Sequence, residues 1–477
     1  MDLGREFLVA LLLLSFCFPG SCNLVFEVQH KFKGRERSLS ALKAHDVRRH
    51  GSRLLSVIDL QLGGNGHPAE TGLYFARIGL GTPPKDYHVQ VDTGSDILWV
   101  NCEGCSNCPK KSDIGVDLTP FDPKASSTSS LVTCDHPFCS ATYDGPIPGC
   151  KPDLLCQYKV IYGDGSATSG FFVKDNIHLE QAVGNDKTAV TNGSVIFGCG
   201  AKQSGELGTS SEALDGIIGF GQANSSMISQ LAAAGKVKKI FAHCLDSIKG
   251  GGIFAIGEVV EPKVHTTPVV PHQAHYNVML RGVEVGGTAL DISVGLFSDF
   301  RRGTIIDSGT TLAYLPEAVY LRLMKKILAA QPNLELRTVD DQFTCFQYSS
   351  NVDDGFPTVS FEFVDSLNLT VYPHEYLFQI REDMWCVGWQ NSGAQSKDGK
   401  QVFLLGDMVL QNKLVYYNLE NQTIGWTEYN CTSGIKLKDA KSQEVYTVGY
   451  HKLSSASNIV IARILPLLIA FTYFFIQ

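Results

Sequence analysis

The sequence predicts an all-β protein built as two pseudo-symmetric lobes with a few short helices. Short β-branched and aromatic runs separated by Gly, Pro, Asn and Asp fill the middle of the chain, as in YFARIGLGTPPKDYHVQVD (74–92) and YNVMLRGVEVGG (276–287), while helical periodicity is scarce. One triplet recurs at the end of a strand-like run: Asp92-Thr93-Gly94 in VQVDTGSDILWV and Asp307-Ser308-Gly309 in GTIIDSGTTLAYLP. In each half an apolar pair followed by Gly comes later, in LDGIIGFG (214–221) and VFLLGDM (402–408). A repeated strand, triplet and strand unit implies a diverged duplication whose halves share one centre.

From the start, MDLGREFLVALLLLSFCFPGSC (1–22) has Arg5, an apolar core of about 11 residues and a small-residue exit, the pattern of a secretory signal peptide. A membrane-spanning helix needs roughly 20 apolar residues, so a signal is the better fit. Between Asn23 and Ser56 stand Lys31, Lys33, Arg35, Arg37, Lys43, Arg48, Arg49 and Arg53 against only Glu27, Glu36 and Asp46, whereas the whole chain has a net charge of -8. A basic leader ahead of an acidic body fits a prosegment, taken here as 23–70, that covers an acidic cleft; the alternative is a solvated basic tail. Secretion leaves nucleic acid a poor partner.

The N-terminal lobe is expected over 71–270 and the C-terminal lobe over 271–431, with the boundary near the proline-interrupted HTTPVVPHQAHY (265–276). Apolar spacing of three and four predicts short helices at SSMISQLAAAGK (225–236) and PEAVYLRLMKKILAA (316–330). The remainder, 432–477, reads as a linker ending in the apolar ARILPLLIAFTYFFIQ. Small residues before that tail, Ser454, Ser455, Ala456, Ser457 and Asn458, make it a candidate glycosylphosphatidylinositol attachment signal, the alternative being an embedded tail helix. The protein is therefore expected on the extracellular face of the plasma membrane, held there by a C-terminal lipid anchor.

Cys17 and Cys22 leave with the signal, so 12 of the 14 cysteines remain: Cys102, Cys105, Cys108, Cys134, Cys139, Cys150, Cys156, Cys199, Cys244, Cys345, Cys386 and Cys431. An even number in a secreted chain predicts disulfides. The CEGCSNC run (102–108) also resembles a zinc or redox motif, but no second CxxC or His cluster completes a metal site, so no metal or other cofactor is expected. Sequons at Asn192, Asn224, Asn368, Asn421 and Asn430 agree with a glycosylating route.

The chemistry rests on the triplets. Two carboxyls held close together cannot both ionise, so Asp92 and Asp307 would share a proton and provide an acid and a base side by side for hydrolysis at acidic pH. Thr93 and Ser308 supply hydroxyls to tie the two loops, Ser95 and Thr310 follow to orient the carboxylates, and Gly94 and Gly309 let a neighbouring backbone or ligand approach closely. YGDGS (162–166) reads as a hairpin tip, with Tyr162 closing over substrate and Trp99 offering an indole N–H to its phenol; a plain surface hairpin with a core Trp is the alternative. Asp164 in that tip is either a turn-forming residue or an extra acid facing substrate.

These motifs together resemble the pepsin-type aspartic proteases, in particular their atypical, nepenthesin-like plant branch, over roughly residues 70–430. The resemblance implies a bilobal β-fold, a catalytic pair at Asp92 and Asp307, a flap tyrosine at Tyr162, packing glycines at Gly219 and Gly406, and a Cys345 to Cys386 bridge in the second lobe. It also implies a monomeric endopeptidase that takes a polypeptide in extended form. Ser308 stands where the wider family usually has Thr, which keeps the hydroxyl. The rival expectation is a non-catalytic binding protein on the same scaffold, like the protease-like inhibitors of plant-cell-wall glycosidases. A glycosidase acting through the two carboxyls would need them about 5 Å or more apart.

Overall fold

The computed structural model describes residues 56–292, 303–340, 342–395, 401–440 and 442–453. The signal, most of the basic leader and the anchor candidates Ser454, Ser455, Ala456, Ser457 and Asn458 lie outside those residues.

Strands dominate, and their pairing repeats between the halves. In the first, Lys85–Asp92 lies parallel to Gly216–Gly219, which is also antiparallel to Trp99–Ser106. The second half does the same: Thr304–Ile306 lies parallel to Leu404–Leu405, which is antiparallel to Ala313–Leu315. Each apolar pair seen in the sequence is thus the central strand that receives the triplet-bearing strand on one edge and its continuation on the other. Alternation explains why Asp92 arrives where it does. Tyr87, Val89 and Val91 point into the core and their exposed or half-buried neighbours point away, so the strand is fixed in register up to its last residue.

A continuous sheet joins the halves. Ile240–Leu245 pairs with Lys413–Asn418, which pairs with Thr423–Glu428 and through it with His265–Pro268. Its centre is aromatic: Phe241 stacks on Tyr417 at 4.5 Å between centroids, and Tyr276 meets Tyr417 edge-on at 4.8 Å.

Both expected helices form. Met227–Ala233 begins after Ser226, whose side chain accepts from the Ser229 N–H, and it buries Met227, Ile228 and Leu231. Glu317–Leu328 buries Val319, Leu323, Met324 and Ile327 on one face, with Glu317 in its first turn and Lys325 and Lys326 in its last, the charge order the helix dipole favours.

The two segments expected as leader and linker contribute strands of their own. Ile58–Leu60 is sandwiched between Gly252–Ile256 and Ala167–Gly184, and Leu62–Asn65 pairs with Leu73–Leu80. Past residue 431, Ile435–Lys438 pairs with Glu258–Glu261 and with Val445–Val448. All twelve expected cysteines pair, as Cys102–Cys199, Cys105–Cys108, Cys134–Cys150, Cys139–Cys156, Cys244–Cys431 and Cys345–Cys386.

Candidate active site

Asp92 ends its strand and Asp307 follows one directly, so each carboxylate sits at the mouth of a tight loop. The loops bond identically. The Gly94 N–H donates to Asp92 Oδ1 at 2.7 Å and the Ser95 hydroxyl to Asp92 Oδ2; the Gly309 N–H donates to Asp307 Oδ1 at 2.8 Å and the Thr310 hydroxyl to Asp307 Oδ2 at 2.7 Å. In each carboxyl one oxygen is therefore held by a backbone amide and the other by a hydroxyl.

The loops are also tied to each other. Ser308 N–H donates to Thr93 Oγ1 at 2.9 Å and Thr93 N–H donates to Ser308 Oγ at 3.3 Å, while the Ser308 hydroxyl reaches the Val91 carbonyl and the Thr93 hydroxyl the Ile306 carbonyl. All four groups are buried. The replacement of a Thr by Ser308 costs none of these bonds. Behind the loops, Gly219 and Gly406 leave no room for a side chain: a Cβ on the first would collide with the backbone of Asp96 and Ile97, and on the second with the carbonyls of Thr310 and Leu312.

The result is a facing pair of carboxyls, 5% and 7% exposed, within hydrogen-bonding reach of each other. Burial first, and then the neighbouring Asp307 carboxylate, hold the Asp92 carboxyl well above the ordinary range, against the pull of Ser95 and Gly94. Two carboxyls this close resist ionising together.

A third carboxyl lies close by. Asp407, which directly follows Gly406, is 1% exposed, its Oδ1 has no hydrogen-bond partner, and its N–H donates to the Thr310 carbonyl. Burial, then Asp307 and Asp92, raise its carboxyl well above the usual range. Sequence inspection passes it over. The available signal was an asymmetry between the halves, since the apolar pair and Gly precede Phe220 in one and Asp407 in the other.

Over the pair lies a hairpin of Gln157–Ile161 and the start of Ala167–Gly184, closed by residues 162–166 with Gly165 at φ 86°. Trp99 Nε1–H donates to the Tyr162 hydroxyl at 2.7 Å. Burial and the nearby Asp92 push the Tyr162 phenol up, which keeps it a hydrogen-bond donor. Asp164 accepts from both the N–H and the hydroxyl of Ser166, so its carboxylate shapes the turn. The cysteine-rich insertion braces this hairpin from behind: Cys139 and Cys156 pack with Trp99, Val132, Tyr158 and Phe172 in one buried cluster. Among the described residues no group of His, Cys, Asp and Glu is arranged to hold a metal ion. Asn192, Asn224, Asn368, Asn421 and Asn430 are all exposed.

Comparison with known proteins places this arrangement. Family models described as "Xylanase inhibitor N-terminal" and "Xylanase inhibitor C-terminal" match residues 74–258 and 275–428. The chain is 51% identical to Aspartic proteinase 39 of Arabidopsis thaliana over 98% of both chains, and 54% identical to Aspartic proteinase 36 of the same plant over 92% of this chain and 90% of that one. It is 30% identical to aspartic proteinase nepenthesin-2 of Nepenthes gracilis over 76% of this chain and 79% of the relative. Among solved structures, that titled "Crystal structure of edgp" superposes with a TM-score of 0.62 at 20% identity, covering 79% of this chain and 95% of that one. Basic 7S globulin from soybean gives 0.60 at 20% identity, covering 78% and 96%. These last two likenesses speak to the fold alone. On the strength of the two Arabidopsis relatives, the chain belongs to the pepsin-like aspartic proteinase family.

Proposed function

We propose that the protein is a secreted aspartic endopeptidase that hydrolyses peptide bonds with Asp92 and Asp307 as its catalytic pair. The observation that carries the proposal is the facing pair of buried carboxyls, each held by one amide and one hydroxyl, with burial and Asp307 raising the Asp92 carboxyl. In the reaction the ionised member takes a proton from water, whose hydroxyl adds to the peptide carbonyl carbon, while the protonated member gives its proton to the carbonyl oxygen. Collapse of the resulting diol returns a proton to the amide nitrogen and breaks the C–N bond. Tyr162 closes over the extended substrate, and Gly94 and Gly309 leave room for its backbone beside the pair.

The rival reading, a glycosidase-binding protein without catalysis, draws on the names of the matching family models. The complete pairing of carboxyls, hydroxyls and flap phenol favours the enzyme. Purified protein, brought to acid, should cleave an unfolded polypeptide best between about pH 3 and 5. It should be blocked by a statine-type inhibitor and lose activity on Asp92→Asn. Cleavage that survives this substitution would exclude the mechanism, and glycosidase binding with no peptidase activity would favour the rival.

We also propose that the enzyme is held on the outer face of the plasma membrane by a lipid anchor, a reading supported by the signal-like pattern of 1–22 and the apolar run that ends the sequence. Release of the protein from intact cells by a phosphatidylinositol-specific phospholipase tests that placement.

A further inference from the structure

Beneath the tied triplets, the sheet that joins the halves carries an imidazole in an apolar setting. His243 lies in the strand Ile240–Leu245, in register with Phe254 on one neighbouring strand and Val415 on the other, and is 1% exposed. Its ring stacks on Phe254 at 6.2 Å and 14°. Nε2 lies 3.2 Å from the Tyr417 hydroxyl, and Nδ1 has no partner. Tyr417, itself fully buried, lies next to Thr93, the residue whose Oγ1 receives the Ser308 N–H.

The protons can be placed by elimination. A neutral imidazole carries one, and an orphaned buried N–H costs more than an orphaned lone pair, so the proton sits on Nε2. Nε2–H then donates to the Tyr417 hydroxyl, which lies next to Thr93, and the Thr93 hydroxyl donates to the carbonyl of Ile306, the residue before Asp307. With its proton on the Ile306 carbonyl, Thr93 Oγ1 has a lone pair for the Ser308 N–H.

We propose that His243 and Tyr417 are positioning residues for the paired carboxyls, acting through Thr93, and that protonation of His243 opens this line and sets the acid limit of the folded enzyme. The positioning part rests on the catalytic reading above; the acid limit does not. A second proton would have to enter at Nδ1, where nothing accepts from it. The groups facing the ring offer little compensation: the strand Gly252–Ile256 presents Phe254 and Ile256, the strand Lys413–Asn418 presents Val415, Tyr417 and Lys413, and Lys413 is committed to Glu375. Asp307 and Asp407 lie beyond Tyr417. Burial accordingly drives the imidazole down to about 3. With the folded value below the ordinary one, the unfolded chain binds this proton more readily between about pH 6.5 and 3, so the stability the neutral ring permits is complete above that window and is lost as pH falls through it.

The test compares His243→Phe, which keeps a flat apolar ring, with Tyr417→Phe, which removes only the hydroxyl. Unfolding would be followed from pH 6.5 to 3.5 in an Asp92→Asn background to prevent self-digestion. One proton difference is at most a factor of ten per pH unit, and less at the two ends of the window, so the unfolding constant should rise about 400-fold less across that range for His243→Phe than for its parent, while Tyr417→Phe keeps the parental slope. In the catalytically intact background, Tyr417→Phe should lower kcat about tenfold or more with KM changed less than about twofold, and adding His243→Phe should cost little further. Equal pH slopes for His243→Phe and its parent would overturn the acid limit. Unchanged kcat in Tyr417→Phe, or full additivity of the two substitutions, would overturn the positioning role. Absence of peptidase activity in the parent would instead strike the catalytic reading, leaving the slope comparison decisive for His243.

Discussion

Gly94 and Asp307 come from opposite halves of the duplication, yet a methyl group on the glycine would stand 2.5 Å from Asp307 Oδ1. Gly309 stands in the same relation to Asp92. Each glycine is thus the wall against which the other half's carboxyl rests, and the two carboxyls face each other because neither wall has a side chain. The fold supplies no slack, since each carboxyl also has one oxygen held by an amide and the other by a hydroxyl.

It follows that Gly94→Ala should abolish most activity while leaving the fold in place. The new methyl displaces the Asp307 carboxyl, and a misplacement of about 1 Å costs on the order of a hundredfold in rate. Peptidase kinetics beside a circular dichroism spectrum checks this; a variant with full kcat would show that the carboxyls need not be so closely opposed.

Trp99 and Tyr162 set the resting position of the flap through one hydrogen bond. Trp99→Phe keeps an aromatic ring in the cluster of Cys139, Tyr158 and Phe172 but removes the indole N–H, so kcat/KM for a peptide substrate should fall about tenfold, the equivalent of one neutral hydrogen bond. Tyr162→Phe should match it, and the double variant should lose little more. Simple multiplication of the two losses would show that the residues act separately.

What could be read from the sequence was local. The triplets, the apolar pairs with Gly and the hairpin tip are short, and each residue in them answers a need of its own backbone: Gly94 and Gly309 for close approach, Gly165 for positive φ, Asp92 at the end of an alternating strand. The amphipathic helix Glu317–Leu328 was legible for the same reason. What could not be read was set by partners distant in the chain. Asp407 is unremarkable inside LLGDM until the fold brings it beside Asp307, and His243 sits in an apolar run whose neighbours give no hint of Tyr417, 174 residues away. The bridges Cys102–Cys199 and Cys244–Cys431, whose partners are 97 and 187 residues apart, depend on the same long-range geometry. The run VIDLQL went with the leader because charge segregation marks no sharp end, and only pairing on both sides of Ile58–Leu60 shows its place in the sheet.

Asp407 gives a pH prediction of opposite sign to that of His243. Its carboxyl is raised by burial and by Asp307 and Asp92, so the folded chain holds this proton where the unfolded chain has released it. Stability from this group is complete below the ordinary carboxyl range and declines as pH rises above it. Asp407→Asn, which fixes a neutral side chain, should match the parent near pH 3.5 and exceed it near neutrality by at least about 2 °C in Tm, the size expected of about 1 kcal/mol. Thermal unfolding at the two pH values decides it, and a difference that does not grow with pH would show that Asp407 ionises freely.

The ends of the described body make the last prediction. His451 Nε2 lies 2.8 Å from a carboxylate oxygen of Asp59, a residue only 4% exposed in the strand Ile58–Leu60. Beside this pair, His451 exchanges backbone hydrogen bonds with Gly252, and the Leu453 N–H reaches the Leu62 carbonyl. Nearer the carboxyl pair, the Thr311 hydroxyl donates to the Gly72 carbonyl. Cleavage anywhere in 57–70 would strip a strand from the middle of the sheet and leave Val57, Ile58, Leu60 and Leu62, all nearly fully buried, to be replaced. The basic leader should therefore be removed at a point before Ser56, and the mature N terminus, read by mass spectrometry of protein isolated from its own cells, should fall between Asn23 and Ser56. A terminus beyond Asn65 would mean that these strands belong to the precursor alone. In the same protein His451→Ala leaves a buried carboxylate without its partner, which should lower stability by about 3 kcal/mol, whereas Asp59→Asn with His451→Ala should recover part of that loss.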